Sequence, residues 1–154
     1  MSELDVNEVI QEVLALVGPE LQKNRVAVRC ALGKTLPLVL ADRVQLQQVL
    51  LNLIVNGIEA MTTVAERPRE LVVQSQIEES GDLMVTVHDS GTGLGSETDR
   101  VFTPFFTTKA NGMGMGLPIS RSLVEGHGGR LWATSNSPHG ALFSFTLPAA
   151  GSSS

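Results

Sequence analysis

A stripe of polar side chains runs along an otherwise apolar segment, residues 42–61, that has the periodicity of a helix. At about 100° per residue the stripe spans an arc of roughly 80°, and its members are Gln45, Gln48, Asn52, Asn56 and Glu59. A solvated helix face would explain the stripe, but such a face is normally rich in Lys and Glu, whereas amides dominate here. Because an amide oxygen suits Mg²⁺, the stripe also predicts a polar pocket in which Asn56 holds the metal. Both interpretations stay open on the pattern alone.

An aspartate and closely spaced glycines follow the apolar segment 83–88. At the end of a strand, Asp89 can accept a hydrogen bond from an exocyclic amine, and Gly91 and Gly93 leave room for a flat ligand near the backbone. An ordinary Asp-Ser-Gly turn is the alternative. The dinucleotide pattern G-x-G-x-x-G fails at Ser96, and no G-x-x-x-x-G-K-[ST] phosphate loop is present.

A second glycine-rich segment, residues 107–116, leads into a predicted helix. Backbone N–H groups at a helix N-terminus attract anions, and Lys109 can place a positive charge over a phosphate. A glycine loop with a solvated lysine explains the segment equally well. The phenylalanines just before it are expected to anchor the base of the loop in the core, and they are Phe102, Phe105 and Phe106.

The elements that must position these groups follow from periodicity and turn residues. Helices are predicted over 4–17, 42–61 and 117–125, and strands over 26–31, 38–40, 71–77, 83–88, 131–134 and 141–147. Paired strands separated by single helices do not give the β-α-β alternation of a doubly wound sheet. The prediction is an α/β fold of the two-layer α+β sandwich type, with a mixed, mostly antiparallel sheet packed on one face by about three helices.

Length and composition restrict the function classes. The 154 residues fit one domain over 1–150, followed by a linker or artificial tail at 151–154. The net charge of −5 without a Lys/Arg cluster argues against a nucleic-acid partner. No apolar run reaches the roughly 18 residues of a membrane helix, so we expect a soluble, cytoplasmic piece without direct membrane contact, whatever anchors its parent. Cys30 is the one cysteine, and we expect it to be a small core residue of its strand.

The order and spacing of these motifs resemble the catalytic ATP-binding domain of sensor histidine kinases. LLNLIVNGIEAM resembles the N box, VHDSGTGLG the G1 box, VFTPFFTTK the F box, and GMGMGLPISRSLVEGHGGRLWATS the G2 box with its following helix and strand. The resemblance covers nearly the whole chain. It implies membership of the GHKL superfamily, which includes DNA gyrase and heat-shock chaperones, and a sandwich fold with a flexible ATP lid.

The resemblance also implies a role for each matching position. Asn56 would coordinate a Mg²⁺ that bridges the phosphates, Asp89 would bind the adenine amino group, and Lys109 would lie over the terminal phosphates. The implied ATP-binding residues are Asn52, Asn56, Asp89, Gly91, Gly93, Lys109, Gly112, Gly114, Met115, Gly116 and Leu117. Two positions depart from the family: Gly57 replaces a common Ala, and Ala141 replaces a common Thr, which puts one water-mediated adenine contact in doubt.

The residue at position 52 bears on the chemistry. The superfamily's hydrolases typically have a Glu there that activates water, whereas Asn52 is a poor base, which favours transfer of the phosphoryl group to a protein acceptor. No catalytic residue is expected in this segment, because the histidines at 88, 127 and 139 fit structural or surface positions and not a phosphoacceptor helix.

The resemblance also implies the partners of the domain. They are ATP, the phosphoacceptor helical hairpin of the same kinase and, indirectly, a response regulator in two-component signal transduction. Two alternatives remain: an ATP-binding regulatory or interaction module without phosphotransfer, and a serine-directed kinase of the same superfamily.

Overall fold

The computed structural model describes residues 1–62, 64–65, 67–91, 116–135 and 140–150. The helices in these ranges are α1 (Val6–Leu16), α2 (Gly18–Lys23), α3 (Arg43–Ala60) and α4 (Gly116–Gly126). The strands are β1 (Ser2–Leu4), β2 (Val26–Leu32), β3 (Val39–Ala41), β4 (Arg69–Ile77), β5 (Leu83–Asp89), β6 (Arg130–Ser135) and β7 (Ala141–Leu147). Every predicted helix and strand is confirmed to within about two residues. The sequence pattern did not predict β1, and it left the extent of α2 open.

The main sheet has five strands in the order β2-β4-β5-β7-β6. The β2–β4 pair is parallel, and the other three pairs are antiparallel, which confirms the predicted mixed, mostly antiparallel sheet. β1 pairs with β3 in a separate two-stranded sheet. Alternate residues of β4, β5 and β7 lie in the core, because successive side chains of a strand point to opposite faces. The helices cover that face, so the molecule is the expected two-layer sandwich.

Helix α3 carries the polar stripe and lies over the middle of the sheet. It begins where the side chain of Asp42, its N-cap, accepts a hydrogen bond from the Gln45 backbone N–H at 3.0 Å, which satisfies one of the unpaired donors at a helix start. Seven residues of α3 are buried, and they are Leu46, Val49, Leu50, Leu53, Ile54, Gly57 and Ile58. This apolar face packs into the core and so fixes the orientation of the helix that carries the polar stripe.

Ion pairs on the surface connect α1 with the first turn of α3. Arg43 Nη2 lies 2.7 Å from Glu8 Oε1 and 2.5 Å from Glu12 Oε2. Hydrogen bonds, chiefly from Arg43 and secondarily from Gln47, hold the pKa of Glu12 below its usual range. Because these groups are solvated, the pairs orient the two helices more than they stabilise the fold.

Cys30 is exposed, so its predicted place in the core is wrong. β2 is an edge strand, and its residues 27–31 are exposed while Val26 alone is buried. The helical layer covers the centre of the sheet and not this part of its edge. Among the described residues, no helix is long and apolar enough to cross a membrane.

Candidate functional site

Asp89 lies at the carboxyl end of β5, in the middle of the sheet. Its backbone pairs with Leu71 on one side and Ala141 on the other, and the residue is 1% exposed. Its Oδ1 accepts a hydrogen bond from the Gly91 backbone N–H at 2.8 Å. The carboxylate also approaches α3, since a Cβ added at Gly57 would lie 3.6 Å from Asp89 Oδ2. The predicted acceptor is therefore a buried carboxylate next to the helix that carries the asparagines.

Gly91 lies where the chain after β5 crosses the end of α3. A Cβ at this position would come within 2.6 Å of the Ala60 carbonyl oxygen, so only glycine permits this approach. The guanidinium of Arg67 holds the same segment, because Nη2 donates to the Ser90 carbonyl at 3.1 Å and to the Gly91 carbonyl at 2.9 Å. The Asp-Ser-Gly segment thus has a fixed backbone path beside the carboxylate.

Asn52 joins α3 to the start of α4. Its Nδ2 donates to the Gly116 carbonyl at 3.2 Å and to Ser120 Oγ at 3.0 Å. Ser120 is completely buried, so its hydroxyl oxygen accepts this hydrogen bond at a place that water does not reach. The side chain that family resemblance assigns to the phosphate region therefore also fixes the first turn of α4.

The polar stripe divides into two parts. Asn52 and Asn56 are half-buried, whereas Gln45, Gln48 and Glu59 are exposed. The solvated-face interpretation holds for the three exposed side chains. The two asparagines, one turn apart, occupy the partly enclosed middle of the helix, where an amide oxygen can serve a cation without complete loss of solvent.

The structure brings together the described members of the predicted site along α3. Asp89 and Gly91 lie near positions 57 and 60 of the helix, and Gly116 lies at Asn52. At 1.5 Å per residue, positions 52 and 57 are separated by roughly 7.5 Å along the helix, so an elongated ligand could place a hydrogen-bond donor at Asp89 and anions near Asn52. Leu117 is half-buried against the core. Five predicted residues lie outside the described ranges, and they are Gly93, Lys109, Gly112, Gly114 and Met115.

The sequence analysis did not single out two side chains of this region. The sequence pattern could have indicated Ser120, since it is a polar residue on the face of α4 that also carries Leu117 and Val124. No local pattern could have indicated Arg67, because its partners at Ser90 and Gly91 are distant in the sequence. Contacts of that kind depend on how the loop after α3 folds back.

The two-layer sandwich is the fold of an ATP-binding domain. Residues 41–151 match the family described as histidine kinase-, DNA gyrase B-, and HSP90-like ATPase. The chain therefore belongs to this ATPase family, and within it to the histidine-kinase catalytic domains, as the relatives below show.

The sensor protein FixL of Bradyrhizobium diazoefficiens is 48% identical over 94% of this chain, and the sensor protein TdiS of Thauera aromatica is 39% identical over 94%. These matches span only 28% and 27% of the two relatives. The catalytic domain of the histidine kinase ThkA superposes with a TM-score of 0.83 at 33% identity, covering 96% of this chain and 95% of that domain. Full-length ShkA, solved in complex with AMPPNP, gives a TM-score of 0.85 at 25% identity, with 99% of this chain and 32% of ShkA covered.

Proposed function

We propose that this domain binds Mg²⁺-ATP along α3 and donates the γ-phosphoryl group to a histidine on a separate phosphoacceptor hairpin of its parent kinase. In this arrangement the adenine amino group donates to Asp89, and Gly91 leaves room for the ring. The phosphate chain extends toward Asn52 and the start of α4. The observation that carries the proposal is the placement of a buried carboxylate and of the Asn52–Gly116 contact at two points of one helix.

The donor set fits the metal. Asn56 is half-buried and would supply a neutral amide oxygen, a ligand that Mg²⁺ accepts. When bound, Mg²⁺ neutralises charge on the phosphates. Asn52 positions α4, and the backbone N–H groups of Gly116 and Leu117, at the start of that helix, would face the anions.

Transfer to a protein acceptor fits position 52 better than hydrolysis does. An amide is not a base near neutral pH, and the Asn52 nitrogen already donates to two groups of α4. Phosphoryl transfer depends mainly on positioning and charge neutralisation, which this part of the site supplies. The acceptor histidine, the response regulator that receives the phosphoryl group afterwards and the cytoplasmic location are parts of the same proposal. A structure of ThkA in complex with the response regulator TrrA supports the assignment of that partner class.

The test supplies the acceptor separately. The domain is incubated with γ-labelled ATP, Mg²⁺ and the phosphoacceptor hairpin of FixL, with a hairpin whose histidine is changed to glutamine as the control. We expect acid-labile, base-stable label on the first hairpin only. Binding of ATP without transfer would favour the interaction-module alternative, and label on a serine-bearing acceptor would favour the serine-directed one. Steady release of phosphate without any acceptor would contradict the proposal.

A further inference from the structure

Helix α4 has a defined end that places the ring of His127 against α3. Gly128, with φ +83°, follows the helix, and its N–H donates to the Glu125 carbonyl while the Gly129 N–H donates to the Val124 carbonyl. These paired bonds form a Schellman motif, in which a glycine takes the left-handed conformation just beyond the cap. His127 is the cap residue itself, so its side chain leaves the helix in a fixed direction.

The His127 ring bridges the two helices. Its Nδ1 lies 2.7 Å from the Leu123 carbonyl oxygen, and its Nε2 lies 3.1 Å from the backbone nitrogen of Asp42. The backbone N–H can only donate and the carbonyl can only accept. Nε2 must therefore be the acceptor and Nδ1 must carry the proton, so the two partners select a neutral ring with one tautomer.

The bond to Asp42 has a particular place in helix α3. Asp42 is the N-cap and Gln45 stands three residues later, the spacing of a capping box in which the later side chain returns a hydrogen bond to the N-cap N–H. Here the side chain of Asp42 bonds Gln45 as expected, but the reciprocal acceptor is His127 from the far end of α4. The capping box of α3 is thus completed by the other helix.

We propose that His127 is a positioning residue of the nucleotide site. α4 runs antiparallel to α3 and is attached at both ends, by His127 to Asp42 and by Asn52 to Gly116 and Ser120. Val124 is the one fully buried apolar residue of α4, and Leu117 and Leu123 pack partly buried against the core, so the hydrogen bonds at the two ends of the helix add direction to this apolar packing. The His127 contact therefore sets where the start of α4, and the phosphate site it would form, lies beside Asn52. This inference rests on the proposed function for its effect on ATP binding.

The first test determines the tautomer of the His127 ring. A ring without these two hydrogen bonds would not be held in one tautomer. Long-range ¹H–¹⁵N spectra of the full chain at pH 8 report which ring nitrogen is protonated, and His127→Gln identifies the signal among the three histidines. We expect the Nδ1-protonated form without nucleotide. The Nε2-protonated form would overturn the proposal, and this result does not depend on whether the domain binds ATP.

A matched pair of substitutions separates the two ring nitrogens. In His127→Asn the amide can replace the Nδ1 donor but does not reach Asp42, whereas in His127→Gln the amide oxygen can replace the Nε2 acceptor. We expect the Asp42 amide proton to exchange faster in His127→Asn, and the ATP dissociation constant to rise roughly 2- to 12-fold, the value of one hydrogen bond. His127→Gln should stay within about twofold of wild type. Equal amide exchange and equal affinity in the two variants would refute the role. If wild type binds no ATP, the proposed function fails while the tautomer and exchange still decide the role of His127.

Discussion

Replacement of Asp89 by asparagine should separate the fold from nucleotide recognition. The asparagine carbonyl can still accept the hydrogen bond that the Gly91 N–H gives to Asp89 Oδ1 at 2.8 Å. The second oxygen, which lies toward Gly57, becomes an NH₂ group of nearly the same size. Asp89→Asn therefore preserves the shape of the strand end and replaces an acceptor with a donor.

The expected loss of affinity follows from the burial of this carboxylate. A hydrogen bond to a charged group contributes about 1.5–3 kcal/mol, and at 1% exposure water cannot replace it. In Asp89→Asn the side-chain NH₂ group would face the adenine amino group, and both of these groups are hydrogen-bond donors. We expect the ATP dissociation constant to rise by about 10- to 150-fold. The free energy of unfolding without nucleotide should change by less than about 1 kcal/mol, because the bond to Gly91 persists and less charge is desolvated.

Calorimetric titration with two nucleotides makes the test specific. Wild type should bind ATP more tightly than purine riboside triphosphate, which lacks the exocyclic amine, and Asp89→Asn should lose that preference. Asp82→Asn is the matched control, because Asp82 lies in the β4–β5 turn at the opposite end of β5. An Asp89→Asn protein that keeps its preference for ATP would show that another group recognises the amine.

Three further predictions concern other parts of the site and fold. Asn56→Ala should remove the Mg²⁺ dependence of ATP binding, measured by titration with and without the metal, and retained dependence would place the metal elsewhere. Ser120→Ala should lower the free energy of unfolding by about 1 kcal/mol in urea, since the Asn52 amide loses a buried partner. The exposed Ser122→Ala on the same helix should stay within about 0.5 kcal/mol, and equal effects would refute the contact. Desolvation raises the pKa of the Cys30 thiol. Because the thiolate is the reactive form, Cys30 should react with a disulfide reagent more slowly than free cysteine between pH 7 and 8; faster reaction would contradict this.

Much of the fold was predictable because its elements carry strong local patterns. Helix α3 followed from a long apolar face over residues 42–61, and β5 followed from an apolar run that ends just before Asp89. Such patterns act over a few residues, so they do not depend on the rest of the chain. β1 has only three residues and pairs with a distant strand, so no local pattern distinguished it from a loop.

The sequence by itself determined the types of the site residues, their order and their family. It could not separate the exposed part of the polar stripe from the half-buried part, because both have the same helical spacing. The tertiary structure decided that Asn52 donates to Ser120, that Cys30 is exposed on an edge strand, and that His127 completes the cap of Asp42. The contacts of Asn52 and His127 join segments that lie far apart in the chain, and the exposure of Cys30 depends on which elements cover its strand. Such contacts arise only when the helices pack on the sheet.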